Sequence, residues 1–308
     1  MSRPRIVCLV GPTASGKSAL ALDIAERLGA EIVSADSRQL YRDLDIGTAK
    51  PTAAERARVP HHCLDLVDAA AAFDAARFRE AAASAIAGVA ARGRPVLVVG
   101  GTGLYVRVLL HGLCPAPPRA PALRAALTAR MEARGRPALH RALATIDPDA
   151  ARRIGPQDGV RLVRALEVAL ATGTPLSRWQ ARHGFAEAPY DALVIGLARP
   201  TPELDRRIGA RAEAMMAAGF LEEVRALRAR GLSPDAPALR TVGYREMLAC
   251  LEGRLDAGAA LAATVRATRQ LAKRQRTWFR REAGVRWRHP EGDRALVMSE
   301  IEHFLGAA

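Results

Sequence analysis

The chain has 308 residues, of which 49% are hydrophobic and 25% are charged, so it is long enough for one large domain or two ordinary ones with apolar cores. No apolar run approaches the roughly 18 residues of a membrane span, and the four cysteines form no C-x-x-C pair. These features predict a soluble, cytoplasmic protein without membrane contact, and they argue against a disulfide scaffold or a zinc site.

The first predicted element is a buried strand, Ile6–Val10, which leads into a phosphate-binding loop of the form G-x-x-x-x-G-K-[ST]. The glycines let backbone N–H groups curl around an anion, and the partly positive end of the next helix points at the same place. Lys17 adds a positive charge, and the Ser18 hydroxyl is placed to bind a magnesium ion. The predicted phosphate or diphosphate ligands are Gly11, Pro12, Thr13, Ala14, Ser15, Gly16, Lys17 and Ser18.

Strands and helices alternate after this loop. The predicted elements are a helix at 17–28, a strand at 31–34, a helix at 78–92 and a strand at 96–99. Such alternation predicts an α/β fold with a parallel sheet covered by helices, and ligands at the carboxyl ends of the strands. The loops 11–18, 35–39 and 100–103 should therefore line one crevice.

Strand signals disappear between residues 116 and 189, where helices are predicted, for example at 121–135 and 159–173. A strand signal returns at 191–197. Further helices are predicted at 202–216, 220–230, 243–252 and 259–281. We therefore predict an α/β domain made of residues 1–115 and 190–308, with a helical insertion domain at 116–189.

The net charge of +14 is concentrated in two segments. Residues 119–183 carry +7 and residues 264–288 carry +8, which leaves −1 for the rest of the chain. This distribution favours a surface for a polyanion such as nucleic acid, although basic helices can also be merely solvated faces. Basic residues follow one another at spacings of three and four on one face of the last predicted helix: Arg266, Arg269, Lys273, Arg276 and Arg280. Below, these five residues are called the basic stripe.

Several single residues suggest chemistry. Asp36 follows the second strand and has three possible roles: a magnesium ligand, a proton acceptor, or a cap for the next turn. Thr102 could donate a hydrogen bond from the opposite wall of the crevice. Arg207 and Arg211 share a helical face and suit an anionic leaving group, or are solvated charges. In the basic helix, Trp278 and Phe279 could stack on a base, but they more commonly pack in a core.

Motifs along nearly the whole chain then point to one family. They are Gly11–Ser18, Ser34–Tyr41, Ile46–Pro51, Val59–His62, Gly100–Tyr105, Thr241–Arg245 and Ala267–Gln275. In this order they resemble the bacterial tRNA dimethylallyltransferases, the tRNA isopentenyltransferase family. The resemblance implies a phosphate-loop NTPase-like α/β fold with an all-helical insertion that closes over the tRNA anticodon stem-loop. One departure is that Ser18 stands where many relatives have threonine, and both residues carry the needed hydroxyl.

The resemblance also implies an activity. A dimethylallyl group would pass from dimethylallyl diphosphate to the exocyclic amine of the adenosine just 3′ of the anticodon, in tRNAs that read codons beginning with U. Mg²⁺ would be the cofactor, held by Ser18, and the enzyme would be a monomer. The adenosine must be flipped out of its stack to reach the crevice.

Residue roles follow from the same resemblance. The implied catalytic residues are Asp36 as the proton acceptor, Thr13, Thr102 and Lys17, and the loop 11–18 with Arg207 and Arg211 would bind the diphosphate. The implied tRNA-binding residues are Asp36, Ser37, Arg38, Gln39, Thr102, Arg124, Val160, Arg161, Arg164, Arg240, Gly243, Tyr244, Arg245, Arg269, Lys273, Arg276 and Arg280.

Three other functions share some of these features. An adenylate isopentenyltransferase acting on free nucleotide would share the loop and Asp36, but should lack the insertion and the basic helix. A small-molecule kinase would turn over ATP. A non-catalytic RNA-binding protein would have no use for an intact loop and Asp36.

Overall fold

Six strands form one parallel sheet within residues 3–306, the part of the chain that the computed structural model describes. They are β1 (Arg5–Val10), β2 (Glu31–Ser34), β3 (His61–His62), β4 (Val96–Gly100), β5 (Asp191–Leu197) and β6 (Arg286–Arg288). Their order across the sheet is β3-β2-β4-β1-β5-β6, and every neighbouring pair is parallel. The predicted parallel α/β fold is confirmed.

The central strand β1 shows why the sheet is buried on both faces. It pairs with β4 on one side and β5 on the other, and residues Ile6 to Val10 have no exposed surface. A parallel strand covered by helices needs an apolar side chain at every position, and this run supplies one. Burial raises the pKa of the Cys8 thiol to about 12, so Cys8 is a neutral core residue.

Fourteen helices complete the described part of the chain. They are α1 (Lys17–Leu28), α2 (Ala53–Arg58), α3 (Ala75–Ala91), α4 (Gly103–His111), α5 (Pro121–Arg134), α6 (Arg136–Ile146), α7 (Pro148–Arg153), α8 (Gly159–Thr172), α9 (Leu176–His183), α10 (Thr201–Ala217), α11 (Phe220–Ala229), α12 (Tyr244–Leu251), α13 (Ala257–Phe279) and α14 (Arg294–Leu305). Within residues 3–306, none of them has the length and apolar character that crossing a membrane requires.

The chain forms two compact units. The sheet unit contains the residues up to Leu110 and those from Ala188 onward, and the helical unit is His111–Glu187, with α5 to α9. The core of the helical unit includes Leu127, Leu139, Leu143, Leu162 and Leu166. The helical unit begins and ends a few residues before the predicted insertion, 116–189, whose limits stay a prediction.

A buried carboxylate in the helical unit accepts hydrogen bonds from three surrounding groups. The Glu167 side chain on α8 is 1% exposed, and it accepts hydrogen bonds from the Ala120 N–H at 2.9 Å and from Arg124 and Arg164 at 3.0 Å each. Burial raises the pKa of Glu167, but the hydrogen bonds from the two arginines outweigh burial and lower it to about 2.

Replacing Glu167 by alanine should lower the free energy of unfolding by about 3 kcal/mol at pH 7, because two partly buried guanidinium groups lose their counter-charge. The folded-state pKa lies below the ordinary value of 4.5, so this contribution is present above pH 4.5 and is lost as the pH falls towards 2. Urea unfolding at pH 7 and pH 3 measures the difference in free energy of unfolding between the wild type and the variant. This difference should be about half as large at pH 3 as at pH 7. Glu132→Ala on α5 removes an exposed charge and is the control; an equal, pH-independent loss in both variants would contradict the prediction.

Two strands were not predicted from the sequence, β3 and β6. Both lie at sheet edges and have two and three residues, and neither contains the apolar run that marks a buried strand. In β3, a ring nitrogen of His61 lies 2.7 Å from the Val59 carbonyl oxygen, and one of His62 lies 2.6 Å from the Glu31 carboxylate. Both histidines thus have structural partners.

Candidate active site

Three loops meet at the carboxyl edge of the sheet, after β1, β2 and β4. These strands are neighbours, so their loops are adjacent. A Cβ atom on Gly100 would lie 2.2 Å from the Ala35 carbonyl oxygen, which shows that this close approach requires glycine. The loops line a cavity of about 1360 Å³, together with residues of α10 and Gln275 of α13. This volume can hold a diphosphate with its organic group.

The phosphate loop has the backbone geometry that its glycines predict. Gly11 and Gly16 have φ values of +140° and +97°, and a Cβ atom on Gly11 would lie 2.6 Å from the Leu197 carbonyl oxygen. Lys17 Nζ donates to the Pro12 carbonyl oxygen at 2.6 Å. Among the described residues, the Ser15 hydroxyl is one of four buried side-chain groups without a hydrogen-bond partner. A buried hydroxyl with this freedom suits a loop that binds an anionic ligand.

Lys17 lies in an unusual electrostatic setting. Burial lowers the pKa of its ammonium group to about 7, the nearby Asp36 carboxylate opposes this shift, and Arg211 adds to it. Burial likewise lowers the pKa of Arg211, and Asp36 counters the effect. A bound diphosphate would add negative charge beside both cations, so the loop is strongly attractive to anions.

Binding of inorganic diphosphate should therefore be accompanied by proton uptake above pH 7, since the anion restores the charged form of Lys17. Starting from a pKa of about 7, the uptake should reach roughly 0.9 proton per bound diphosphate at pH 8. At pH 6.5 it should fall below about half a proton, because most Lys17 side chains are already charged. Calorimetry in two buffers with different ionisation enthalpies measures it. Lys17→Arg, whose guanidinium stays charged, should abolish the uptake, and unchanged uptake in that variant would assign the proton to another group.

Three arginine side chains contact the phosphate loop. Arg207 Nε donates to the Ala14 carbonyl oxygen at 3.0 Å, and Arg199 Nε donates to the Ser15 carbonyl oxygen at 2.9 Å. Arg211 lies 3.5 Å from the Thr13 hydroxyl. Arg207 and Arg211 both line the large cavity, as the sequence predicts for ligands of a leaving group. Arg199 was not predicted; its side chain is 2% exposed and pairs with two carboxylates, which gives it a structural role.

Asp36 faces the same cavity from the loop after β2. Its Oδ1 accepts a hydrogen bond from the Arg38 N–H at 2.8 Å, so the predicted capping role is present. The carboxylate keeps a second oxygen, and its field reaches Lys17 and Arg211. Capping and proton acceptance therefore do not exclude each other.

Thr102 and Gln39 connect the loops to one another. Thr102 Oγ1 accepts from the Ser37 N–H at 3.0 Å and lies 3.3 Å from the Ser37 hydroxyl. Gln39 accepts from the Ser34 hydroxyl at 2.9 Å and donates to the Ala49 carbonyl oxygen at 3.0 Å. The site residues predicted in 36–39 and at Thr102 thus lie together, and their catalytic and tRNA-binding roles remain predictions.

A second chamber of about 230 Å³ adjoins the first and shares Thr13, Asp36 and Arg211 with it. Tyr244 helps to line it but is fully buried; its hydroxyl donates to Glu223 at 2.5 Å. Tyr244 therefore has protein partners in this structure, and its predicted contact with tRNA stays a prediction. Gly243 is also buried, and its N–H donates to Glu246 at 2.8 Å.

The basic stripe lies on α13, with its last member, Arg280, at the end of the helix. Four members are exposed and Arg276 is half-buried. Arg269 is 3.6 Å from Asp205, and Arg276 donates to Thr201 at 2.6 Å, so α10 neutralises or engages part of the stripe. Phe279 is 1% exposed, and a Cβ atom on Gly103 would lie 2.1 Å from Trp278, which shows that both aromatics pack inside the protein.

The remaining tRNA-binding candidates have mixed surroundings. Arg240 and Arg245 are exposed and pair with Asp235 and Glu246. In the helical unit, Val160 is 76% exposed and Arg161 is paired with Asp158 at 3.4 Å. Arg124 and Arg164 are held by Glu167, so their first role is structural.

Besides Arg199, two polar side chains at the site were not singled out from the sequence, Gln275 and Glu223. Glu223 accepts from the N–H groups of Asp45, Ile46 and Gly47 at 2.7 to 3.2 Å and fixes the segment beside Gly47. Gln275 joins two of the three loops. A sequence signal for Gln275 does exist, because it follows Thr264, Thr268 and Leu271 at helical spacing on the face of α13 that lines the second chamber.

Known proteins resemble this chain over nearly its whole length. The family model described as IPP transferase matches residues 39–282. A tRNA dimethylallyltransferase of Anaeromyxobacter dehalogenans is 55% identical over 94% of each chain. The structure of a full-length tRNA isopentenylpyrophosphate transferase from Bacillus halodurans matches with a TM-score of 0.73 and 35% identity, covering 99% of this chain and 98% of that one.

A eukaryotic dimethylallyltransferase acting on tRNA has a TM-score of 0.75 and 26% identity, covering 90% of this chain and 70% of its own. The resemblance predicted from the motifs is confirmed. The chain belongs to the tRNA isopentenyltransferase, or IPP transferase, family.

Proposed function

We propose that this protein transfers a dimethylallyl group from dimethylallyl diphosphate to the exocyclic amine of the adenosine immediately 3′ of the anticodon, in tRNAs that read codons beginning with U. The observation that carries the proposal is one cavity in which Lys17 and Arg211 face the carboxylate of Asp36. Positive groups that would bind a leaving diphosphate thus lie beside a carboxylate that would accept an amine proton, in a chain of the matching family.

The leaving-group side of the reaction belongs to the phosphate loop. The bond between the allylic carbon and the diphosphate oxygen breaks while the bond from the adenine nitrogen to that carbon forms. Negative charge builds on the diphosphate as it leaves, and loop N–H groups, Lys17 and Arg211 would stabilise it. Arg207 already contacts the loop at Ala14 and would support it from the solvent side.

Asp36 would receive the proton. An adenine amine is a poor nucleophile, but it becomes strongly acidic as its nitrogen bonds to carbon. A carboxylate at hydrogen-bond distance can then take the proton. The contact of Asp36 Oδ1 with the Arg38 N–H orients the carboxylate, and Thr102 binds the same loop through Ser37. These contacts would hold the acceptor where the amine approaches.

A magnesium ion would fit beside the loop. The Ser18 hydroxyl is exposed, lines the large cavity and forms no hydrogen bond within residues 3–306, and a hydroxyl oxygen with diphosphate oxygens is a donor set that Mg²⁺ accepts. When bound, the ion would neutralise charge on the diphosphate. Ser18 is the residue that we propose to hold it.

We further propose that the protein works in the cytoplasm as a monomer. Its macromolecular partner would be the tRNA anticodon stem-loop. The adenosine would be flipped into the crevice, and the exposed residues among the tRNA-binding candidates of the sheet unit would contact the RNA.

The direct test incubates the protein with labelled dimethylallyl diphosphate and total tRNA, followed by digestion and identification of the modified nucleoside. Label in a prenylated adenosine 3′ of the anticodon is the expected result. Prenylation of free AMP as efficient as that of tRNA would instead indicate an adenylate isopentenyltransferase. ADP release coupled to substrate would indicate a kinase, and tRNA binding without transfer would indicate a non-catalytic RNA-binding protein.

The basic stripe provides a prediction away from the chemistry. Replacing Arg269, Lys273 and Arg276 together by alanine should weaken tRNA binding and flatten its dependence on salt, by at most about one unit of slope for each phosphate that is no longer neutralised. Lys273 should contribute most, because Arg269 and Arg276 have partners on α10. The measurement is tRNA affinity against salt concentration. Arg27→Ala, at the far end of α1 from the phosphate loop, is the control, and identical slopes in all three proteins would show that the stripe is a solvated face.

A further inference from the structure

One side chain of α13 bridges two loops of the candidate site. Gln275 Oε1 accepts a hydrogen bond from the Thr13 N–H of the phosphate loop at 2.8 Å. Its Nε2 donates to the carbonyl oxygen of Gly101, in the loop after β4, at 3.0 Å. Both ends of one amide are therefore used, and the two hydrogen bonds join positions far apart in the sequence.

The bridge is closely fitted. A Cβ atom on Gly101 would lie 2.3 Å from Gln275 Nε2, so glycine at this position leaves room for the amide. Gln275 is half-buried and lines both chambers of the site. An uncharged amide supplies both a donor group and an acceptor at the needed separation, whereas an ionised carboxylate supplies acceptors alone.

The two loops that Gln275 joins would serve different parts of the proposed reaction, the leaving group and the proton acceptor. Thr13 belongs to the loop that would bind the diphosphate. Gly101 precedes Thr102, whose hydroxyl binds the Ser37 N–H beside Asp36. The distance between leaving group and proton acceptor thus depends on how these loops are fixed, and small displacements of reacting groups are costly.

We propose that Gln275 is a positioning residue, which sets the phosphate loop against the loops that carry Thr102 and Asp36. The role in catalysis rests on the proposed function, while the effect on the loop does not. Gln275 would touch neither the reacting atoms nor the tRNA.

The first test replaces Gln275 by methionine, which is similar in length but cannot bridge. Affinity for inorganic diphosphate, measured by calorimetry without tRNA, should fall about tenfold, and the single-turnover transfer rate should fall between roughly ten- and a hundredfold. Affinity for tRNA and the melting temperature should stay close to those of the wild type. Gln270→Met, an exposed position on the same helix, is the matched control.

The second test uses Gln275→Glu, because a protonated carboxyl group offers an O–H donor and a carbonyl acceptor, the two functions that the bridge uses. The ratio of its transfer rate to that of the wild type, measured at the same pH, should rise as the pH is lowered. The same ratio for Gln275→Met should not change with pH. The charged groups that face the bridge are Lys17 of α1, Asp36 after β2, and Arg207 and Arg211 of α10. They are present in all the proteins, and Gln275→Met, which adds no charge, is the reference with which the Gln275→Glu ratio is compared.

Three outcomes would overturn the proposal. They are diphosphate affinity and transfer rate within about twofold of the wild type in Gln275→Met, a loss of tRNA affinity as large as that for diphosphate, and a flat pH ratio for Gln275→Glu. If the wild type fails to prenylate tRNA, the proposed function is wrong. The calorimetric comparison with inorganic diphosphate still decides whether Gln275 positions the loop.

Discussion

Replacing Asp36 by alanine is expected to lower the single-turnover rate of prenyl transfer by roughly a hundredfold or more, while tRNA affinity changes little. The reason is that the acidic proton of the reacting amine loses its acceptor. Rapid quench with labelled dimethylallyl diphosphate and saturating tRNA measures the chemical step, and a binding assay measures tRNA affinity separately.

Asp36→Asn separates the two roles that the structure gives this residue. The amide oxygen can still accept from the Arg38 N–H, so the turn keeps its cap, but the side chain no longer takes a proton. Equal losses in the two variants would support proton acceptance. A near-normal rate in Asp36→Asn would assign the loss in the alanine variant to the cap and remove Asp36 from the chemistry.

Lys17→Met should reduce kcat/KM for dimethylallyl diphosphate by about a thousandfold. The ammonium group would stabilise the leaving diphosphate more in the transition state than in the ground state, so most of the loss should be in kcat. Steady-state and single-turnover kinetics at saturating tRNA give the two constants. Lys17→Arg restores the charge in a different shape and should recover part of the rate. Tight diphosphate binding with a normal rate in Lys17→Met would contradict the role.

The parts of the site that could be predicted from the sequence are residues that lie a few positions after a recognisable strand. Lys17 and Asp36 each follow a strand whose apolar run is plain, and the parallel order of β1, β4 and β2 brings their loops together. The roles of Glu223, Arg199 and Gln275 depend on contacts between distant segments, for example Gln275 with Thr13, 262 positions away. No periodicity encodes such pairs.

Local spacing also did not show which candidate residues are buried or already paired with other side chains. Tyr244 lies in a motif that implies tRNA contact, yet Phe220 packs against its ring and Glu223 binds its hydroxyl. The charges of Arg124 and Arg164 suggested a polyanion surface, while a single buried glutamate, Glu167, holds both. Net charge in a sequence window does not show which charges are already paired inside the protein.

The position of the helical unit within the chain has a consequence for how the sheet is made. The β1 and β4 pairing joins Val7 to Leu97, but the β1 and β5 pairing joins Arg5 to Asp191, across the whole helical unit. On the ribosome, one side of β1 stays unpaired until the insertion has been synthesised. A flexible segment of that length would make closure slow, since contacts between distant residues must repay the entropy of the intervening loop. A helical unit with its own core can fold first and shorten that loop, so mutations in its core should delay completion of the sheet and expose β1 to aggregation.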